Sequence, residues 1–114
     1  MTDTTVFMVG QLSPWPSKED LADLLSSNGL NIYVGKYSLR IKDFSHFVIQ
    51  EYGGDLGEPQ IDADAKSITE MVDSAKTLSS ILTNTDIKHR FEIYDHKDSL
   101  ACYLHYGWPR ENDL

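Results

Sequence analysis

Apolar residues recur along the chain with two periods, and the shorter period predicts five β-strands. In residues 31–42, apolar side chains such as Tyr33 and Leu39 fall on odd positions, while the later even positions are polar. Such alternation indicates a strand with one buried and one solvated face. The continuous apolar run in residues 46–52 indicates a central strand covered on both faces. The predicted strands are 6–12, 31–42, 46–52, 87–94 and 100–106.

The longer period predicts two helices, each preceded by a residue that favours a helix start. Ser17 caps the first helix, which is predicted to end at Gly29, a residue that readily takes the left-handed conformation of a helix stop. Ser67 and Glu70 form the capping-box pattern of the second helix, which is predicted to run to about Asn84. The remaining long segment, 55–66, lacks a clear period and is predicted to be a loop.

The element order β-α-β-β-α-β-β predicts an α+β fold, an antiparallel sheet with two helices on one face. Two arrangements fit this order. One is a ferredoxin-like sheet with an added edge strand, and the other is a twinned βαββ arrangement in which part of residues 59–64 pairs as a strand. The two αββ segments resemble each other weakly, which fits either a duplication or a coincidence.

Length and composition predict a single domain spanning residues 1–114. The start of the chain lacks the charged and apolar regions of a signal peptide, and no segment has the roughly 20 apolar residues of a membrane-spanning helix. With Cys102 as its single cysteine, the chain can form no internal disulfide, which fits a reducing compartment. We therefore expect a cytoplasmic protein that does not bind membranes.

The net charge restricts the possible partners. Ten Lys and Arg residues against 18 Asp and Glu residues give a net charge of −8. Binding to nucleic acid is disfavoured, because it depends on basic groups that neutralise phosphates. The acidity either keeps the protein soluble or steers a basic protein partner towards it.

Motifs for catalysis, cofactors or metals are not recognisable in the sequence. The four histidines lack the spacing of a zinc site, and the glycines form no phosphate-binding loop. Cys102 falls on the apolar phase of its strand, where a thiol is unreactive. His89 shares a phase with Phe91 and Ile93, which indicates a hydrogen-bonded histidine in the core or in an interface. We therefore predict no catalytic residue, no metal, no cofactor and no enzymatic activity.

The first functional hypothesis is a small acidic protein-binding module, an inhibitor or immunity-type protein that covers a basic partner such as a nuclease toxin. Acidic residues of the predicted loop would steer the partner, and tryptophans in proline-containing turns would anchor it. The predicted partner-binding residues are Asp55, Glu58, Asp62, Asp64, Trp15 and Trp108.

The alternative hypothesis is a small-molecule or acid–base enzyme site on the helix-free face of the sheet. Glu51, Tyr103 and His105 are its candidate residues, because an acid, a ring and a titratable base could meet there across neighbouring strands. A third possibility is a homodimer formed through the apolar strand face of Phe47 and Ile49.

Overall fold

The computed structural model describes residues 5–51 and 59–108, which form one antiparallel sheet and two helices. The α+β class predicted from the sequence is confirmed. The elements are β1 (Val6–Ser13), α1 (Lys18–Ser27), β2 (Ile32–Val34), β3 (Ser38–Ile41), β4 (His46–Gln50), β5 (Gln60–Ala65), α2 (Ile68–Asn84), β6 (Lys88–Tyr94) and β7 (Leu100–Tyr106).

The sheet has the strand order β2-β3-β4-β5-β1-β6-β7, and every neighbouring pair is antiparallel. The connection through α2 links β5 to β6, which lie on either side of β1. The connection through α1 leads from β1 past the β2–β3 hairpin to β4, which lies beyond β5. The central strands β4-β5-β1-β6 therefore have ferredoxin-like connectivity, extended by β2 and β3 at one edge and by β7 at the other.

The predicted loop 55–66 is wrong for residues 60–65, which form β5 in the middle of the sheet, whereas the alternative in which part of residues 59–64 pairs as a strand is confirmed. Ile61, Ala63 and Ala65 are buried, and Asp62 and Asp64 alternate with them on the other face. Two of the three buried side chains are alanines, which are only weakly hydrophobic. The alternation of apolar and polar residues that marks a strand is therefore hard to recognise beside the two acids.

The predicted strand 31–42 is also wrong, because it is divided into β2 and β3. The break lies at residues 35–37, where the Gly35 amide donates to the Ser38 carbonyl over 2.8 Å. The two αββ segments also occupy different places in the sheet. In the first segment the inner strand is β4, which comes last along the chain, whereas in the second segment the inner strand is β6, which comes before β7. Strand order thus gives the duplication no support.

Both helices lie on one face of the sheet, where α2 packs against β1, β5, β6 and β7 and α1 against β2 and β3. Phe47 and Ile49 of β4 are buried in this core. The homodimer face predicted at these two residues is therefore wrong, because the helices already cover it. β4 is buried on this one face, and its other face carries the exposed His46 and the half-buried Val48.

Gly10 lets the centre of the core close. It faces Ile61 of β5 and Phe91 of β6. A Cβ at residue 10 would lie 2.8 Å from the Phe91 ring carbon Cδ1 and 3.2 Å from Ile61 Cβ. The Phe91 ring therefore occupies the space that a larger residue in β1 would need.

The two helices end in matching backbone turns. The Leu30 amide donates to the Leu25 carbonyl after α1, and the Ile87 amide donates to the Leu82 carbonyl after α2. Both turns place one residue at positive φ, the predicted Gly29 after α1 and Asp86 after α2. These ends confirm the helix stops expected from the sequence.

At the N-termini of the helices, both predicted serine caps are present, but the second half of the predicted capping box is not. Ser17 and Ser67 each accept a hydrogen bond from the backbone amide three residues later. Glu70 instead accepts a hydrogen bond from the Ser45 hydroxyl, so this contact ties α2 to the turn before β4.

His89 is a fully buried histidine between β6 and α2, and both of its ring nitrogens have hydrogen-bond partners. Its Nδ1 lies 2.9 Å from the Ile87 carbonyl oxygen and its Nε2 lies 2.7 Å from the Ser79 hydroxyl. A carbonyl oxygen can only accept, so Nδ1 carries a hydrogen, and in the neutral ring that burial favours Nε2 accepts from the Ser79 hydroxyl. Burial lowers the pKa of His89 from its ordinary value of 6.5, although the Ile87 carbonyl acts in the opposite direction.

We expect the folded state to lose stability as the pH falls below about 6.5, because the unfolded chain then takes up a proton that the buried His89 resists. His89 contributes its full stabilisation above this pH. Denaturant unfolding at pH 7.5 and pH 5.5 should show that the free energy of unfolding falls less for His89→Gln than for the wild type. The exposed His96 provides the control, and His96→Gln should keep the wild-type loss. An equal fall in the free energy of unfolding for all three proteins would contradict a lowered pKa of His89 in the folded state.

Candidate functional site

The face of the sheet opposite the helices, here called the open face, carries a continuous row of side chains across all seven strands. Each residue of the row is paired with the next by the strand register, so the side chains point to the same side. The row consists of Tyr33, Arg40, Val48, Asp62, Val9, Glu92 and Tyr103.

The centre of the open face is apolar and is bordered by carboxylates. Phe7 and Val9 project from β1 and are 45% and 37% exposed. Asp64 is paired with Phe7, while Asp62 and Glu92 are paired with Val9 from either side. An apolar centre within a charged border is the general layout of a protein–protein interface.

Asp62 and Asp64, predicted as loop acids, lie on the same face of β5, about 7 Å apart along the strand. Gln60 Nε2 donates to Asp62 Oδ1 over 2.8 Å. Within residues 5–51 and 59–108, neither carboxylate makes an ion pair. Among those residues, no basic nitrogen therefore lies within 4.0 Å of either carboxylate, although His46 of β4 is the cross-strand neighbour of Asp64. Asp55 and Glu58 lie outside the described residues.

Glu92 differs from these two acids, because a basic group lies beside it. Arg90 Nε is 3.8 Å from the Glu92 carboxylate and donates to Gln11 Oε1 over 2.9 Å. Glu92 also accepts a hydrogen bond from the Tyr94 hydroxyl, which raises the pKa of Tyr94 because that bond favours the protonated phenol. Of the three carboxylates that border Phe7 and Val9, only Glu92 thus has an ion-pair partner among the described residues.

The two tryptophans predicted as anchors lie away from the centre of the open face. Trp108 is half-buried beside Arg90, whose guanidinium carbon lies 5.1 Å from the ring centroid in a cation–π contact. Trp15 is half-buried against the core and lines a cavity of about 260 Å³ with Leu21 and Leu39. This cavity opens at the N-terminus of α1.

The three residues of the alternative site are not brought together. Glu51 follows β4 on the helix-covered side, where its carboxylate lies 3.3 Å from Lys18 Nζ and borders the Trp15 cavity. Tyr103 and His105 lie on β7 with their ring centroids 5.1 Å apart. Four strand spacings, about 19 Å, separate β4 from β7. An acid–base pair of Glu51 and His105 is therefore ruled out by the strand order.

Phe7 and Val9 were not predicted from the sequence as binding residues. The run from Val6 to Leu12 is almost uniformly apolar, so its phase is hard to assign. The signal lies at the end of the strand, since Gln11 and Ser13 continue the phase of Phe7 and Val9 with polar residues. This phase therefore belongs to the open face.

Comparisons with known proteins add no relatives, because no family model, curated protein or solved structure matches the chain. Within the described part of the chain, no three His, Cys, Asp or Glu side chains are placed to hold a metal ion. The two helices described are too short or too polar to cross a membrane.

Proposed function

We propose that the protein is a non-enzymatic binding module whose open face covers a basic partner protein, in the manner of an inhibitor or immunity protein. The observation that carries this proposal is the arrangement at the centre of the sheet. Two carboxylates on β5, Asp62 and Asp64, border two exposed apolar side chains on β1, Phe7 and Val9.

The charge distribution supports a basic partner. Like charges about 7 Å apart repel each other, and a Lys or Arg side chain from a partner would relieve this repulsion. The net charge of −8 adds a long-range attraction for a basic surface. Opposite charges of this kind mainly accelerate the encounter of two proteins.

The size and shape of the open face support a partner with a broad surface. Six strand spacings make the sheet about 29 Å wide, and six extended residues are about 20 Å long. Their product, roughly 600 Å², approaches the roughly 800 Å² that each protein contributes to a standard interface.

Removal of the two β5 charges should slow association. A native lysate of the source organism is passed over the immobilised protein at low salt, and basic proteins released at high salt are identified. For such a partner, Asp62→Asn/Asp64→Asn should reduce the association rate about tenfold at low salt, and the difference should shrink as salt rises. The dissociation rate should change less.

The control removes the same charge from the helices. Asp23→Asn/Asp73→Asn changes two exposed carboxylates on α1 and α2. This variant should associate nearly as fast as the wild type. If both double variants slow association equally, net charge alone is responsible and the open face is not the binding surface.

Truncation of the apolar centre should act on dissociation instead. Phe7→Ala removes the larger of the two exposed apolar side chains of β1, and a buried aromatic anchor typically contributes about 2 kcal/mol or more. We therefore expect the dissociation rate to rise about 30-fold, measured by surface plasmon resonance with the same partner. Ile68→Ala on α2 is the control, because Ile68 is 42% exposed on the helix side. Unchanged dissociation of Phe7→Ala would refute the anchor.

A further inference from the structure

The two edges of the sheet differ in a way that points to self-association. The edge strand β2 has three residues, whereas β7 has seven and pairs only with β6 among the described strands. Long exposed edges are ready templates for another strand, and proteins usually protect them with short strands, prolines or charged residues. β2 is protected by its length.

β7 lacks these protections, and its one irregularity, the register shift at Ala101, lies outside residues 102–106. Its residues, LACYLHY, include no proline, lysine, arginine, aspartate or glutamate. Leu100 and Tyr103 are among the exposed large side chains of the protein. Although the chain has a net charge of −8, β7 places no acid on this edge.

We propose that two copies of the chain pair antiparallel through β7, forming one continuous sheet with all four helices on the same side. The regular part of β7 fixes the register. Its pairing with β6 shifts between Ile93 and Tyr94, so residues 102–106 form the regular segment, with Leu104 at its middle. A twofold axis at Leu104 pairs all five residues of this segment.

This register places compatible side chains opposite each other on both sides of the sheet. On the helix side, Leu104 meets Leu104 of the partner subunit, and Cys102 meets Tyr106 of the partner subunit. Leu104 and Cys102 already pack at the margin of the core, so the pairing extends the core. On the open face, Tyr103 meets His105 of the partner subunit, and aromatic cross-strand pairs stabilise sheets. No acid faces another acid.

The effect of salt on affinity distinguishes dimer formation from binding of the proposed basic partner. Both copies are acidic, so screening their repulsion should favour the dimer, whereas the same screening weakens attraction to a basic protein. The partner proposal rests on the centre of the open face and the dimer on the outer edge of β7, so the two proposals can fail independently although Tyr103 belongs to both surfaces.

Analytical ultracentrifugation of the full chain tests the dimer. We expect twice the monomer mass at high protein concentration, with a lower dissociation constant at high salt. Tyr103→Lys/His105→Lys opposes lysines across the twofold axis and should raise the dissociation constant about tenfold. Its lower net negative charge would by itself favour association, so weakening must arise locally.

The matched control adds the same charge at the other edge. Tyr33→Lys/Val34→Lys changes two exposed residues of β2 and should leave the dimer intact. Circular dichroism checks that both variants fold. A wild type that stays monomeric at millimolar concentration and high salt, or equal weakening by both variants, would overturn the proposal.

Disulfide trapping tests the register. In a Cys102→Ser background, Leu104→Cys should give a covalent dimer under mild oxidation. Facing residues of antiparallel strands have Cα atoms about 4.5–5.5 Å apart, within the range that a disulfide spans. Val34→Cys in the same background should remain largely uncrosslinked. Equal crosslinking at the two positions would reject pairing through β7.

Discussion

Burial of one face of the sheet is the constraint on which the rest of the structure depends. Buried residues alternate with exposed or half-buried ones along β1, β5 and β6, and α1 and α2 cover the buried side. Because neither helix crosses to the other side, the opposite face of the same strands is left uncovered by the described residues. The side chains that close the core therefore also determine, by alternation, which residues form the binding surface. Phe7 and Val9 are exposed because Val6 and Met8 are buried.

The features that the sequence predicted correctly are those determined locally. Ser17 and Ser67 cap the helices, and the stop at Gly29 and the end of α2 at Asn84 depend on neighbouring residues. The central place of β5 in the sheet could not be found in this way, although one of the two predicted arrangements had part of residues 59–64 as a strand. Its buried side chains include two alanines, so it becomes recognisable as a strand only through its pairing with β4 and β1, which are distant in sequence from one another.

In the candidate site, too, residue types could be predicted from the sequence but the positions of the residues in the sheet could not. The composition drew attention to Asp62 and Asp64, but a loop was expected where they lie on a central strand. The grouping of Glu51 with His105 failed because it assumed neighbouring strands, and the sheet places three strands between theirs. Charge and residue type can be read from a sequence directly, whereas the distance between two residues of a sheet depends on a strand order that no local pattern encodes.

The strand order also has a consequence for biosynthesis. β1 leaves the ribosome well before both of its neighbours, β5 at residues 60–65 and β6 at residues 88–94. The nascent chain must therefore keep an apolar strand without its native neighbours until residues 60–65 and 88–94 have been translated. Such non-local pairing slows folding, and unpaired strands of this kind are prone to aggregate. A chaperone that shields the first strand during translation would thus protect the centre of the sheet.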